Sequence, residues 1–225
     1  MIKRILIVAA HPDDEILGCS GTVARLISEG AEAYTLILGE GITSRNNENL
    51  EQVTAEKGEL EKQLHKANEI IGVKKVFRSF FSDNQFDTHS MLEITKAIEA
   101  VKNEIKPDTI FTHYQNDLNI DHQITYQAVI TATRPIQDES VKTIYSFEVL
   151  SSTEWSFPTS FSPNTFFDIT HSIEQKKQAM AAYSMELREF PHPRSLKGIE
   201  LSAQNWGMKV GLPAAESFIL IRDIN

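Results

Sequence analysis

Residues 4–10, RILIVAA, place six apolar residues in a row after one arginine. A run of that length without alternation fits a strand buried on both faces, as at the centre of a parallel sheet. Residues 14–29 change period: Ile16, Val23, Leu26 and Ile27 fall on one side of a helix, and Gly30 follows as a stop. The two patterns then alternate. Strands are predicted at 33–38, 75–80, 108–113 and 142–149. Helices are predicted at 53–71, ended by Gly72, at 91–105, ended by Pro107, and at 122–133, stopped before Pro135. Polar segments at 40–52 and 82–87 read as loops. The alternation predicts an α/β fold: a doubly wound, mainly parallel, Rossmann-like sheet with helices on both faces. In such sheets ligands bind at the carboxyl ends of the strands.

The last third reads differently. Residues 151–168 have few periodic signals and contain Pro158 and Pro163. Residues 171–187 look helical, PHPRS at 191–195 is a loop, a helix spans 196–208, and ESFILIR at 216–222 is a final strand. There is no internal repeat and no separable second domain. The expectation is a single domain over 1–225, with 151–225 as a C-terminal elaboration near the active site.

Composition narrows the partners. A chain of 225 residues that is 41% hydrophobic can bury a core without staples. A net charge of −9 argues against nucleic acid and against an anionic membrane surface. Cys19 is the one cysteine, so no internal disulfide forms. The apolar stretch from Ile5 to Ala10 is too short for a signal-peptide core, and no segment approaches the ~20 apolar residues that cross a bilayer. A cytoplasmic protein without stable membrane insertion is expected; a homo-oligomer is compatible with the sequence.

The chemistry starts at AHPDDE, residues 10–15, where the first strand gives way to a helix. Pro12 stiffens the turn. Asp13 and Asp14 fall at the helix start, where the dipole favours carboxylates. His11 and Asp14 stand three apart, so the turn can aim both at one point above the sheet. An imidazole with a carboxylate suits Zn²⁺, whose bonds to such ligands run about 2.0–2.2 Å. A capped helix explains the same aspartates, so this segment alone does not decide. THYQNDLNIDH, residues 112–122, follows the fourth strand and reaches the same edge. His122 would complete a His-Asp-His set with one position open to water, the catalytic pattern. Asp121 beside it could also cap a helix. Two separate segments converging on one edge favour the metal site.

These paired motifs resemble those of the LmbE/PIG-L zinc-dependent de-N-acetylases. AHPDDE is that family's first hallmark, Asp121-His122 matches its later DH segment, and AESF at 215–218 extends the likeness. The resemblance implies zinc held by His11, Asp14 and His122, Asp13 as general base, and Asp121 in support. The residues agree: zinc lowers the pKa of bound water toward ~7, so a carboxylate suffices to take its proton. Asp13 is next to a ligand and can reach that water.

The chain departs from the family where members often carry a histidine three residues before the last ligand: here stands Asn119. An amide can donate to an oxyanion but cannot protonate a leaving amine. Asp13 is therefore expected to act as base and then acid, assisted by His192 of PHPRS. For substrate contacts the candidates are Arg45 in the 40–52 loop, His113 at the end of the fourth strand, which could instead support the metal-binding residues from behind, and Arg194, suited to an anionic substrate, on a loop stiffened by two prolines. Asp83 and Asn84 could bind sugar hydroxyls, and Trp155 and Phe157 could supply an apolar wall; turns and core packing explain these four as well. DLNIDH, SSTEW and PHPRS look like the branch of the family associated with bacterial surface-sugar and glycolipid pathways. That implies an N-acetylated amino sugar of the N-acetylglucosamine type, carried on a nucleotide or a lipid. The competing readings are an amidase of a thiol conjugate or other small amide, and a non-catalytic sugar- or nucleotide-binding module. The absence of GxGxxG after the first strand weighs against dinucleotide binding.

Overall fold

A computed structural model describes residues 2–41 and 50–225. The strands are β1 (Arg4–Ala9), β2 (Glu32–Gly39), β3 (Lys75–Phe81), β4 (Thr109–His113), β5 (Thr143–Phe147), β6 (Thr165–Asp168) and β7 (Ala215–Asp223). They form one sheet in the order β3-β2-β1-β4-β5-β7-β6. The first five run parallel; β7 pairs antiparallel with both β5 and β6. The α/β, mainly parallel architecture read from the sequence is the one observed.

Strand alternation sorts the core into two layers. From β1, Ile5, Ile7 and Ala9 face a layer containing α1 (Asp14–Ser28), α2 (Leu50–Ile71), α5 (Ile173–Ala182) and α6 (Leu196–Val210). Leu6, Val8 and Ala10 face α3 (Met91–Ile105) and α4 (Ile120–Ala132) on the other side. Both faces of β1 are dry, which is why its sequence shows no polar alternation. No described helix is long and apolar enough to cross a membrane.

The connection leaving β1 runs to α1 on one face, and the connection leaving β4 runs to α4 on the other. The crevice between these adjacent strands is the topological switch point of the sheet. Gly39 lets β2 close up beside it: its N–H donates to Ala10 O at 2.7 Å, and a Cβ there would stand 2.8 Å from that oxygen.

Among the differences from the sequence reading, three have a clear physical cause. β6 lies inside the stretch without periodic signal; it is a four-residue edge strand whose side chains are all half-buried, so no polar/apolar contrast marks it. The helix expected over 171–187 stops at Ala182. Beyond it Tyr183 is buried with its hydroxyl on Glu15 Oε1 at 2.6 Å, and Met185 N–H donates to Gln63 Oε1. Tertiary bonds thus replace helical ones. Finally, α4 starts at Ile120 because Asn119 Oδ1 accepts the Asp121 N–H at 2.8 Å as its cap.

Candidate metal centre

Ala10 N–H, just past β1, donates to His113 Nε2 at 2.8 Å. That bond ties the ends of β1 and β4 and places the His113 proton on Nδ1. His113 is fully buried, and burial holds its pKa well below the ordinary range, so the ring is neutral. It stacks on His122 with ring centroids 4.0 Å apart. His113 therefore backs a site residue and does not line the cleft; of the two roles expected for it, its position fits support of the site and not substrate contact.

His11, Asp14 and His122 come together above the switch point. Asp14 Oδ2 lies 3.4 Å from His11 Nδ1 and 3.3 Å from His122 Nε2, and it accepts the His11 N–H at 2.8 Å. A tetrahedral ion with bonds of about 2.1 Å needs ligand atoms about 3.4 Å apart. Both separations fit, and the donor set of two imidazoles and a carboxylate is one that zinc accepts. The far ring nitrogens are also held: His11 Nε2 is 3.0 Å from Asp121 Oδ2 and 3.2 Å from Asp83 Oδ1, and His122 Nδ1 is 3.0 Å from Asp117 Oδ1. Such carboxylates orient metal-binding imidazoles.

The electrostatics point the same way. Burial opposes charge on His11, yet Asp121, Asp14 and Asp83 push its pKa up to about 10. Burial likewise opposes charge on His122, but Asp14 and Asp117 raise it to about 9. For Asp14, burial would raise the pKa, and His122 and His11 reverse this and hold it well below the usual carboxylate range. Four aspartates around two imidazoles make a site that favours positive charge.

Asp13 occupies the N-cap position of α1 with φ 104° and ψ −27°, a left-handed backbone that costs a non-glycine residue roughly 1–3 kcal/mol. Glu15 helps hold it there: its Oε2 accepts the Asp13 N–H at 3.1 Å, while Oε1 takes bonds from Asn68 and Tyr183. The last residue of AHPDDE is thus a brace beneath the first five. Burial lifts the Asp13 pKa well above its ordinary value, opposed by Arg194 and reinforced by Asp14.

Arg194 Nη1 donates to Asp13 Oδ2 at 3.0 Å, and its Nε–H to Ser151 Oγ at 2.6 Å. The arginine expected to face an anionic substrate is therefore bonded to the expected base. His192 sits one step further out. Its Nδ1 accepts the Arg194 N–H at 3.1 Å, its ring meets Trp155 edge-on, and it does not line the cleft. Asn119 does line it; its Nδ2 donates to Asn84 Oδ1 at 3.0 Å. Arg45 lies outside the described residues.

The cleft has a volume of about 390 Å³. Besides these residues its wall includes Asp83, Leu118, Ser152, Trp155 and Glu186. Sequence reasoning missed Asp117 and Glu186. Asp117 is buried, accepts bonds from Ser152 and Thr153 hydroxyls, and links them to His122. Its place five residues before His122 in DLNIDH was the available signal. Glu186 carried none, because its segment read as helix. Glu216 of AESF is structural: it accepts the Gly21 and Thr22 N–H groups and pairs with Lys176, joining β7 to α1 and α5.

Residues 6–133 match the protein family described as PIG-L: GlcNAc-PI de-N-acetylase. A probable N-acetyl-alpha-D-glucosaminyl L-malate deacetylase 2 of Bacillus cereus is 24% identical over 188 residues, covering 81% of this chain and 83% of its own length. Among solved structures, the N,N'-diacetylchitobiose deacetylase of Pyrococcus horikoshii, complexed with its inhibitor MPG, superposes with a TM-score of 0.79 at 20% identity, over 98% of this chain and 84% of that one. The zinc-inhibited form of the teicoplanin deacetylase Orf2 superposes with a TM-score of 0.77 at 15% identity, over 99% and 100%. The structural matches carry the fold; the family match spans both motif segments and more than half of the chain. This chain belongs to the PIG-L family of de-N-acetylases.

Proposed function

We propose that the chain hydrolyses the acetamide of an N-acetylglucosamine-type amino sugar, releasing acetate and a free amine. The observation that carries this is the convergence of His11, Asp14 and His122 on one point with Asp13 on the adjoining residue. These three side chains would hold a divalent cation, with zinc the first candidate. When bound, the ion would supply Lewis acidity toward the acetamide oxygen and lower the pKa of a nearby water.

The protein's own groups do the rest. Asp13 takes a proton from water as the water oxygen bonds to the acetamide carbon. Asn119 Nδ2 has a second hydrogen beyond the one given to Asn84 and offers it to the developing oxyanion. The C–N bond then breaks, and Asp13 returns the proton to the departing amine. Arg194 and the Glu15 brace fix where that carboxyl points. His192 is placed to steady the Arg194 loop and not to deliver a proton. Asp83 and Asn84, on the cleft wall, suit sugar hydroxyls. Family membership favours this reading over a non-catalytic binding module or a thiol-conjugate amidase.

The test is acetate release from UDP-, phosphate- and lipid-linked N-acetylhexosamines, with bound metal measured on the same preparation. Zinc is titrated against other divalent ions, because a deacetylase of this fold has a zinc-inhibited form. Release that Asp13→Ala abolishes supports the proposal. A metal-loaded protein that frees no acetate from any of these substrates sinks it.

A further inference from the structure

Both backbone polar groups of Asp13 are taken. Its carbonyl accepts the Ile16 and Leu17 N–H groups at 3.0 and 2.9 Å, which starts α1, and its N–H goes to Glu15 Oε2 at 3.1 Å. The left-handed backbone of a non-glycine residue relaxes unless such bonds hold it. If the N–H lost its acceptor, the turn would relax and the Asp13 side chain would swing with it.

Glu15 is fully buried, and two neutral donors hold its other oxygen: the Tyr183 O–H at 2.6 Å and Asn68 Nδ2 at 2.9 Å. Asn68 cannot turn over. Its Nδ2 also donates to Leu64 O at 3.0 Å, and its Oδ1 accepts the Thr35 hydroxyl at 2.7 Å, so an exchanged amide would set acceptor against acceptor. A chain of bonds thus runs from Thr35 on β2 through Asn68 on α2 and Glu15 on α1 to the Asp13 N–H. Tyr183 joins it from beyond the end of α5, 168 residues from Glu15 in sequence. Thr35, Asn68 and Tyr183 are all buried, and none of them lines the cleft.

We infer that Tyr183 and Asn68 are positioning residues for the reaction: they fix the Glu15 carboxylate, which fixes the Asp13 backbone and so the direction of the Asp13 carboxyl. The inference rests on the reading of Asp13 as the base. Both donors converge on the oxygen that Asp13 does not use, which leaves Oε2 to the Asp13 N–H. With one donor gone, the carboxylate can rotate and the Asp13 N–H loses a fixed acceptor. Arg194 holds the same residue by its side chain, so backbone and carboxyl are secured from different parts of the chain.

Tyr183→Phe and Thr35→Val keep the shape of the side chain and remove one hydroxyl each. The metal-loaded enzyme is assayed with the N-acetylhexosamine that it turns over fastest. Tyr183→Phe is expected to lower kcat about tenfold with KM and metal affinity within about twofold, since a misplacement of ~1 Å costs up to about a hundredfold. Thr35→Val, one bond further out, shows the same pattern with a smaller loss. Hydrogen exchange of the Asp13 amide, followed by NMR, speeds up in both variants and reads the brace without turnover. Unchanged kcat in Tyr183→Phe or unchanged exchange at Asp13 overturns the inference. So does a loss of metal affinity that matches the loss of kcat, which would mean a general loosening of the site. Wild-type protein that frees no acetate, with exchange at Asp13 still faster in the variants, would fault the deacetylase reading and leave the brace standing.

Discussion

Arg194 Nη1 and Asp13 Oδ2 meet at 3.0 Å although 181 residues separate them in the chain. The contact joins the C-terminal segment to the N-cap of α1 and fixes the carboxyl assigned as base. If Arg194 positions Asp13, Arg194→Met lowers kcat at least about tenfold with little change in KM, and Arg194→Lys recovers part of the loss. A variant whose KM rises while kcat holds would place Arg194 on the substrate instead.

Asp117 orients His122 from behind. Replacing it with Asn keeps the shape and removes the charge. Metal affinity, measured by competition with a chromogenic chelator, should fall about 10- to 100-fold, as for other carboxylates that back a metal-bound histidine. An unchanged dissociation constant would show that the pairing serves the Ser152–Thr153 turn alone.

A cation that binds only the folded chain raises its melting temperature by mass action, by about 2.7 kcal/mol of stability at one hundred times the dissociation constant. Zinc should therefore raise the Tm of the wild-type protein, a strong chelator should reverse the shift, and His122→Ala should show no shift at all. An equal zinc effect on His122→Ala would move the binding site elsewhere.

Glu148, one residue beyond β5, is not among the cleft-lining residues and has its own pH signature. Burial lifts its pKa from 4.5 to about 7, opposed by the Trp206 Nε1–H donating to Oε1 at 2.5 Å and reinforced by Glu154. Between these two pH values the folded chain keeps a proton that the unfolded chain releases, so stability falls as pH rises from about 4.5 to 7 and stays reduced above. Glu148→Gln retains an acceptor for Trp206 without the charge. Its Tm should match wild type near pH 4.5 and exceed it by a few degrees at pH 8. Parallel Tm curves for the two proteins across this range would refute the assignment.

Much of this was legible in the residues. RILIVAA announced a doubly buried strand because β1 has helices on both faces, and AHPDDE and DLNIDH announced the metal site because each follows a strand whose carboxyl end faces the switch point. What the sequence hid depends on contacts between distant segments. The Arg194–Asp13 pair forms only when residues 188–195 fold over α1. Helix α5 ends early because Tyr183 finds Glu15. β6 is recognisable only by its partner β7. His113 stood at a strand end near the metal segment with its role open, and what settles its orientation is Ala10 N–H donating to its Nε2 across the sheet.

The switch point has a consequence for how the domain comes together. His11 and Asp14 stand on the segment entering one helical layer, and His122 stands on a helix of the other. An ion shared among them would clasp the two layers across the sheet edge. Half a domain offers half a set of ligands. Cation affinity therefore acts as a gauge of global assembly: a cavity opened under α3 or α5, which carry no ligand themselves, would weaken binding by letting one jaw of the clasp drift.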